Sequence, residues 1–344
     1  MKVYKYRSVE EKIFKRDFDT ISDKFFYSSN YSTLNDPFDI YFSEQISPLI
    51  KFLNILFPNN DSSNFEKQLK LVLGSKEKTG IYCLSKNFLN EQLWAYYASA
   101  YSGYCIEYDL EILVDKSQNS DFEYMLEIDY NDIIPTIDIN DIKNPESLIR
   151  KMYAIKKANW KHEDEIRLIF NNYGFKKFHP SAITGIYFGY KTDKIVKESF
   201  YNLFENEDVK FYEIFPSNFK LDYKLIYETK RKLKYDISKF DFEILRSRTN
   251  QWEHVYEIFY KGNYEDIIEL KEFILAFREK YCIKTSTLIL FNNKRVMDLI
   301  ESNSLTDEEY VRYADSIITA IYGDEVVITN PFKDLKYNEI LNKR

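Results

Sequence analysis

Alternating apolar and polar residues predict a series of short strands along the first two thirds of the chain. The predicted strands are residues 3–7, 24–28, 81–85, 104–108, 124–128, 163–170, 183–188 and 209–215. Three helices are predicted between them. A capping box at Ser8–Glu11 predicts a helix directly after the first strand, and Asn144 before Pro145 predicts another. A third covers residues 90–98. Many short strands with intervening helices indicate an α+β sheet domain.

The last hundred residues show a second pattern, of α/β type. Strands are predicted at 255–260, 287–291 and 325–329, and a helix at 264–281. A capping box at Thr306–Glu309 predicts a further helix that stops at Gly323. A basic stretch near residue 230 separates the two patterns. We expect a mixed-sheet domain over 1–235 and a smaller α/β domain over 240–344.

Composition narrows the functional classes. The chain has only 16 glycines and prolines but 57 Phe and Tyr residues, a composition that excludes a disordered chain. The sequence contains no glycine-rich phosphate loop. A net charge of −7 argues against a protein that coats nucleic acid. Three separated cysteines and three scattered histidines favour neither a disulfide framework nor a metal site. Without a signal peptide or a long apolar run, we expect a cytoplasmic protein with no membrane contact.

The most distinctive local feature is the row of Glu163, Glu165 and Arg167. On a continuous strand these alternate residues share one face, about 6.6 Å apart at ~3.3 Å per residue, so both carboxylates could act on one substrate. Arg167 could hold one of them ionised. The alternative is a solvent-facing row with a modest surface ion pair.

Polar residues at strand ends and turns supply further candidates. Arg7 ends a strand that also carries Tyr4 and Tyr6, and a guanidinium at that place suits a diphosphate. Asn35 and Asp36 lie in the turn-rich segment 34–39, and Ser85 ends a buried strand. Each also has an ordinary structural interpretation, as an edge-strand side chain, a tight loop or a chain turn.

In their order along the chain, these motifs resemble a bacterial family, domain of unknown function 2971. The motifs are Tyr4–Ser8, Leu34–Asp39, Cys83–Ser85, Leu93–Ala98 with Gly103–Asp109, and Trp160–Arg167. The resemblance covers residues 1–225, with Tyr96 and Tyr97 where the helix motif often has a histidine. That family in turn resembles ADP-ribosyltransferases, including toxins that modify nucleic acids.

The resemblance implies an ADP-ribosyltransferase-like mixed sheet and NAD as the substrate. Glu165 would hold the ribose as positive charge develops on it, and Glu163 would orient or deprotonate the acceptor. Arg7 would bind the diphosphate, and Ser85 would position Glu165. We therefore expect Arg7, Ser85 and Glu165 to line one cleft from the same side of the sheet.

Weaker assignments complete the expected NAD site. Tyr4 or Tyr6 would stack on the nicotinamide or adenine ring, and Asn35 and Asp36 would shape the loop around NAD. No metal ligand is assigned.

The acceptor is expected to be a nucleic acid or a protein. Basic residues on either side of the last strands would form a nucleic-acid rim: Lys156, Lys157, Lys161, Lys230, Arg231 and Lys232. These side chains would neutralise phosphates. The resemblance implies a toxin or antiviral defence effector, whose C-terminal domain would bind an antitoxin or a regulatory protein.

Two alternatives stay open. One is a metal-dependent hydrolase or nuclease that uses Glu163, Glu165 and Asp36. The other is a binding module without catalysis, in which the carboxylate row only pairs with Arg167 and water.

Overall fold

A computed structural model gives the fold as two compact units. It describes residues 1–56, 63–115, 118–249, 253–283, 286–296, 305–314, 316–321, 327–330 and 333–343. Unit 1 consists of residues 1–114 and 118–231, and unit 2 consists of residues 115–117 and 232–344. Both combine helices with a sheet, so the predicted α+β class is confirmed.

Unit 1 contains fourteen strands and eight helices within the described residues. Its strands are β1 Lys2–Arg7, β2 Phe25–Ser28, β3 Ser43–Glu44, β4 Gly80–Ser85, β5 Tyr104–Asp109, β6 Phe122–Glu127, β7 Asp129–Tyr130, β8 Thr136–Ile137, β9 Ile155–Lys156, β10 Glu165–Phe170, β11 Gly174–Lys177, β12 Ile183–Phe188, β13 Lys210–Ser217 and β14 Lys220–Glu228. Its helices are α1 Glu11–Ser22, α2 Ile46–Leu56, α3 Ser63–Gly74, α4 Glu91–Tyr96, α5 Leu110–Leu113, α6 Ile139–Ile142, α7 Pro145–Tyr153 and α8 Lys194–Leu203.

Eight of these strands form one mixed sheet in the order β14-β13-β12-β5-β1-β4-β10-β6. Its neighbouring strands run antiparallel except β12 and β13, which are parallel. Helices α1 and α8 cover one face, where Ile21 and Phe200 belong to the same core as strand residues such as Ile106. The other face has two separate apolar groups, one under α7 and one under α4.

Most predicted strands of unit 1 are confirmed, because one buried face enforces the alternation. The prediction of a capping box at Ser8–Glu11 is wrong. Helix α1 begins at Glu11, and its cap residue Glu10 makes no side-chain capping bond. The Ser8 hydroxyl instead accepts from the Glu10 N–H at 3.0 Å and lies 2.7 Å from the Ser99 hydroxyl. The helix predicted from Pro145 forms with Asn144 as its cap.

Unit 2 has a sheet in the order β15-β16-β17-β18-β19. These strands are β15 Phe242–Thr249, β16 His254–Tyr260, β17 Ser286–Phe291, β18 Ile317–Ile321 and β19 Val327–Thr329, with helices α9 Ile267–Tyr281, α10 Asp307–Ala314 and α11 Leu335–Asn342. The core of this unit packs α9 against the central strands.

One helix of unit 2 was predicted too long. Thr306 and Glu309 do form the capping box, since the Glu309 N–H donates to the Thr306 hydroxyl at 3.3 Å. However, α10 ends at Ala314, and Ile317–Ile321 forms β18 because its β-branched residues pair with β17. The predicted stop at Gly323 and the start of the strand predicted at 325–329 lie outside the described residues.

Across the described residues, we find no helix with the length and apolar character that a membrane crossing requires.

Candidate functional site

The central sheet opens between β1 and β4. Both strands are fully described, and they pair only where Tyr4 meets Ser85. By contrast, β1 pairs with β5 over six positions, and β4 pairs with β10 over six. A cavity of about 650 Å³ is lined by residues of both β1 and β4 at this opening, together with residues of α1 and the segment before β10.

Strand alternation assigns the cavity residues to two faces of the sheet. Ser85 lies opposite both Tyr4 and Glu165 in the register, so these three side chains share one face. Arg7 is three residues from Tyr4 and points to the other face, where its Nε lies 3.4 Å from the Asp17 carboxylate of α1. Arg7, Ser85 and Glu165 therefore line one cavity, but the expectation that they share one side of the sheet is wrong.

Five charged side chains form what we call the ionic cluster: Asp39, Lys156, Glu163, Glu165 and Arg167. Each of them is less than a tenth exposed. The Lys156 ammonium donates to Glu163 Oε2 at 2.5 Å and to Glu165 Oε2 at 3.0 Å. Arg167 donates from Nε to Glu165 Oε1 and from a terminal nitrogen to Asp39, each at 2.7 Å. The alternative of a solvent-facing row is therefore wrong.

The backbone before β10 explains how the two glutamates reach the same lysine. Residues 158–163 form a 3-10 turn, Asp164 takes a left-handed conformation with φ of 44°, and the strand begins only at Glu165. Aspartate tolerates this conformation better than most residues. Glu163 is thus not part of the strand, contrary to the prediction, and its carbonyl oxygen accepts the Ser85 hydroxyl at 2.8 Å. Ser85 holds the backbone of Glu163 rather than the carboxylate of Glu165.

The charges of the ionic cluster stabilise one another. Burial by itself would raise the pKa of Glu165, but Arg167 and Lys156 outweigh it and hold that pKa well below its usual range. Burial opposes the charge of Lys156, yet Glu165 and Glu163 raise its pKa above the ordinary value. Arg167 thus acts on Glu165 as the sequence suggested. At neutral pH, Glu165 is an ionised carboxylate in the wall of a cavity.

Tyr97 completes the wall beside Glu163. Its hydroxyl donates to Glu163 Oε1 at 2.8 Å, and burial and Glu163 raise its pKa. No role was assigned to this residue from the sequence. Tyr97 and the two glutamates line the cavity together with Lys156.

The remaining sequence candidates divide into two groups. Asn35, Tyr4 and Tyr6 also line the cavity. The two tyrosine rings are nevertheless buried and packed edge-on against Tyr187 and Trp94, respectively. Asp36 does not line the cavity, because its carboxylate is turned back to accept the Phe38 N–H at 2.9 Å.

The predicted basic rim needs one correction. Lys156 is 8% exposed and bonded within the ionic cluster, so it cannot meet a nucleic acid at the surface. Lys157 and Lys161 are exposed, as are Lys230, Arg231 and Lys232. The run of basic residues in the sequence gives no sign that Lys156 is buried while its neighbours are exposed.

Comparison with known proteins adds a family but no function. Residues 93–168 match a family described as "Protein of unknown function (DUF2971)", so the chain carries a domain of that family there. The matched segment contains four of the five members of the ionic cluster and Tyr97, whereas Asp39 and Arg7 lie outside it. No curated protein and no solved structure matches the chain.

We predict that Glu165→Gln destabilises unit 1 strongly, although the change preserves the shape of the side chain. The substitution leaves Arg167 and Lys156 buried without one of their counter-charges, and breaking a buried pair costs about 3 kcal/mol or more. The free energy of unfolding at pH 7, from urea titration, measures this loss. Glu146→Gln removes an exposed carboxylate from the same unit and serves as the control.

The loss should also depend on pH. Because the pKa of Glu165 is lowered by folding, its stabilisation is complete above the unfolded value of about 4.3 and is lost as the pH falls toward the folded value. The difference between wild type and Glu165→Gln should therefore shrink by about 1.4 kcal/mol per pH unit below about pH 4. A difference that stays constant from pH 7 to pH 3.5 would contradict the ion pairing described here.

Proposed function

We propose that unit 1 is an NAD-dependent ADP-ribosyltransferase and that its reaction takes place in the cavity between β1 and β4. The observation that supports this proposal best is the ionised Glu165 in the cavity wall, beside a second carboxylate, Glu163. A fixed anion at that position suits a reaction in which positive charge develops on a sugar.

Cleavage of NAD would break the bond between the nicotinamide nitrogen and the ribose. Nicotinamide leaves with the bonding electron pair, and the ribose carbon becomes cationic in character. A carboxylate oxygen has lone pairs beyond those used in the ionic cluster, so Glu165 can still interact with the ribose. The nucleophile of the acceptor then bonds to that carbon and releases a proton.

Glu163 suits the role of the base that takes this proton. One of its oxygens accepts from Lys156, and the other accepts only the Tyr97 hydroxyl among the bonds of the described residues. General bases of this kind typically contribute about 10²–10⁴-fold to the rate. Glu165 is held more firmly, by both Arg167 and Lys156.

The size and charge of the cavity also support a dinucleotide. Its volume of about 650 Å³ falls within the range of about 300–1,000 Å³ that is typical of small-molecule sites. Arg7 supplies a guanidinium, the group that pairs best with phosphate oxygens. Because Arg7 and Glu165 belong to opposite faces, a molecule that contacts both has to pass the opening between β1 and β4.

The biological role and the partner follow from the family resemblance alone. We infer a toxin or antiviral defence effector in which unit 2 binds an antitoxin or a regulatory protein. No observation favours metal-dependent hydrolysis. Lys156 already lies between the carboxylates of Glu163 and Glu165. The described residues also contain no cluster of three His, Cys, Asp or Glu side chains that could hold a metal ion.

Incubation with labelled NAD tests the proposed activity. We expect the purified protein to release nicotinamide and to label one of three offered fractions: protein, RNA or DNA. Glu163→Gln should lower the rate at least about 100-fold, because the variant cannot accept the proton of the nucleophile. Glu165→Gln should lower it as much when assayed at a temperature where circular dichroism shows it folded.

Glu146→Gln is the matched control and should retain the wild-type rate. NAD turnover that both cavity variants retain in full would overturn the assignment of the carboxylates. Activity that needs a divalent metal and no NAD would favour the hydrolase instead.

We further propose a nucleic-acid acceptor that is held by exposed lysines next to the segment leading into β10. For a single strand, log K falls by about 0.7 per phosphate contact for each unit of log salt. Changing Lys157 and Lys161 to Glu should therefore weaken RNA or DNA binding and reduce the slope of log K against log salt by about 1.4. Titration of labelled single strands over a range of salt concentrations measures both quantities.

A control with the same change of charge is Lys12→Glu with Lys15→Glu, two exposed positions on α1. If both double variants weaken nucleic-acid binding by the same factor, the loss comes from the change in net charge and not from lost contacts between Lys157 or Lys161 and phosphates. If the wild type binds neither RNA nor DNA at low salt, a protein acceptor becomes the better hypothesis.

A further inference from the structure

Lys5 lies in the middle of β1 and lines the cavity. Its ammonium donates to the carbonyl oxygen of Cys83 on β4 at 2.7 Å and lies 4.9 Å from the centre of the Tyr82 ring. An ammonium has three donor hydrogens, and this carbonyl is the acceptor that the described residues supply. Lys5 thus spans the opening of the sheet and keeps donors for another group.

Lys5 differs from the other cations of the cavity wall in having no carboxylate at ion-pair distance among the described residues. Lys156 is bonded to Glu163, while Arg7 and Arg16 both lie against Asp17, at 3.4 Å and 2.7 Å. Among the described residues, no carboxylate approaches the Lys5 ammonium within 4.0 Å. Lys5 is half-buried, and a cation that is partly removed from water is costly unless an anion compensates it.

The wall next to α1 therefore has an excess of positive charge. Lys5 and Arg7 lie two residues apart on one strand, so their side chains share a face and their backbone positions are about 6.6 Å apart. With Arg16 they give this part of the cavity wall three cations and one carboxylate, Asp17, which pairs with the two arginines. The hydroxyl of Tyr104, fully buried and close to this wall, has no hydrogen-bond partner.

We propose that Lys5, together with Arg7, binds an oxyanion of the phosphate class in the part of the cavity nearest α1. The identity of the ligand rests on the proposed function: if unit 1 uses NAD, this anion is the diphosphate of NAD. The assignment of Lys5 itself depends only on the geometry and the unbalanced charge. Binding would give the ammonium an anion at ion-pair distance, which the described residues do not supply.

The protonation of Lys5 offers a direct readout. Burial and then Arg7 lower the pKa of Lys5 to about 8. The other groups that face it are Cys83 and Tyr82 on β4, Glu165 on β10 and Asp17 on α1. Burial raises the pKa of the Cys83 thiol and of the Tyr82 hydroxyl, and Glu165 is already ionised. Lys5 should therefore dominate any change in anion affinity between pH 7 and 9.

The test is isothermal titration of the full chain with ADP-ribose and, separately, with inorganic sulfate. Neither anion changes its charge between pH 6.5 and 9.5. For the wild type we expect constant affinity below about pH 8 and a loss that approaches tenfold per pH unit above it, as unbound Lys5 loses its proton. Lys5→Met should bind at least about tenfold more weakly at pH 7, with little dependence on pH.

Lys5→Arg separates binding from a purely structural role. Arginine stays charged throughout this range, so at pH 7 this variant should bind more tightly than Lys5→Met, and it should lose the pH dependence. Lys143→Met, an exposed lysine of unit 1, should bind like the wild type. If Lys5→Met fails to fold, the pH profiles of the wild type and Lys5→Arg decide the question.

Affinity that is flat with pH in the wild type, or unchanged in Lys5→Met, would overturn the proposal. So would the absence of binding by both anions. If ADP-ribose or sulfate binds through Lys5 while NAD is not consumed, the oxyanion site stands and the proposed transferase activity fails. The two outcomes are therefore distinguishable.

Discussion

The contact between Arg167 and Glu165, with Lys156 beside it, is the constraint on which the rest of the site depends. These charges are buried on the central sheet, where they are stable only as a complete set. Together they join elements distant in the chain: the Asp39 turn, the end of α7 through the Tyr153 carbonyl, the short strand β9 and the start of β10. The same set of contacts keeps Glu165 ionised and fixes where both carboxylates face the cavity.

The cavity arises because backbone pairing stops between β1 and β4. Strands that pair along their whole length leave no room for a ligand between them, whereas β1 and β4 meet at one residue pair and then separate. Lys5 bridges the separation with a side-chain bond to Cys83. The two ends of the cavity consequently differ in net charge. The ionic cluster on one face has three carboxylates and two cations, whereas the face next to α1 has Lys5, Arg7 and Arg16 with the carboxylate of Asp17.

The strands were predictable because their apolar residues face a core on at least one side, as in β5 and β12. The site was predictable only in part. Glu163, Glu165 and Arg167 could be identified from their spacing, but the left-handed turn at Asp164 that removes Glu163 from the strand leaves no strong sequence signal. Asp39 contacts Arg167 across 128 positions, and Lys156 looks like one of a run of surface lysines. Both depend on tertiary contacts that spacing does not encode. In unit 2, Ile317–Ile321 fits a helical pattern locally, and pairing with β17 decides otherwise.

Hydrogen–deuterium exchange with and without NAD tests most directly whether this cavity is the ligand site. We expect NAD to slow exchange in residues 2–7, 80–88 and 156–167, which line the opening and carry the carboxylates, because a bound ligand suppresses local opening of the surrounding strands. Residues 253–283 of unit 2 should exchange at the same rate in both states. Protection confined to unit 2, or no protection at NAD concentrations up to several millimolar, would contradict the assignment of this cavity as the ligand site.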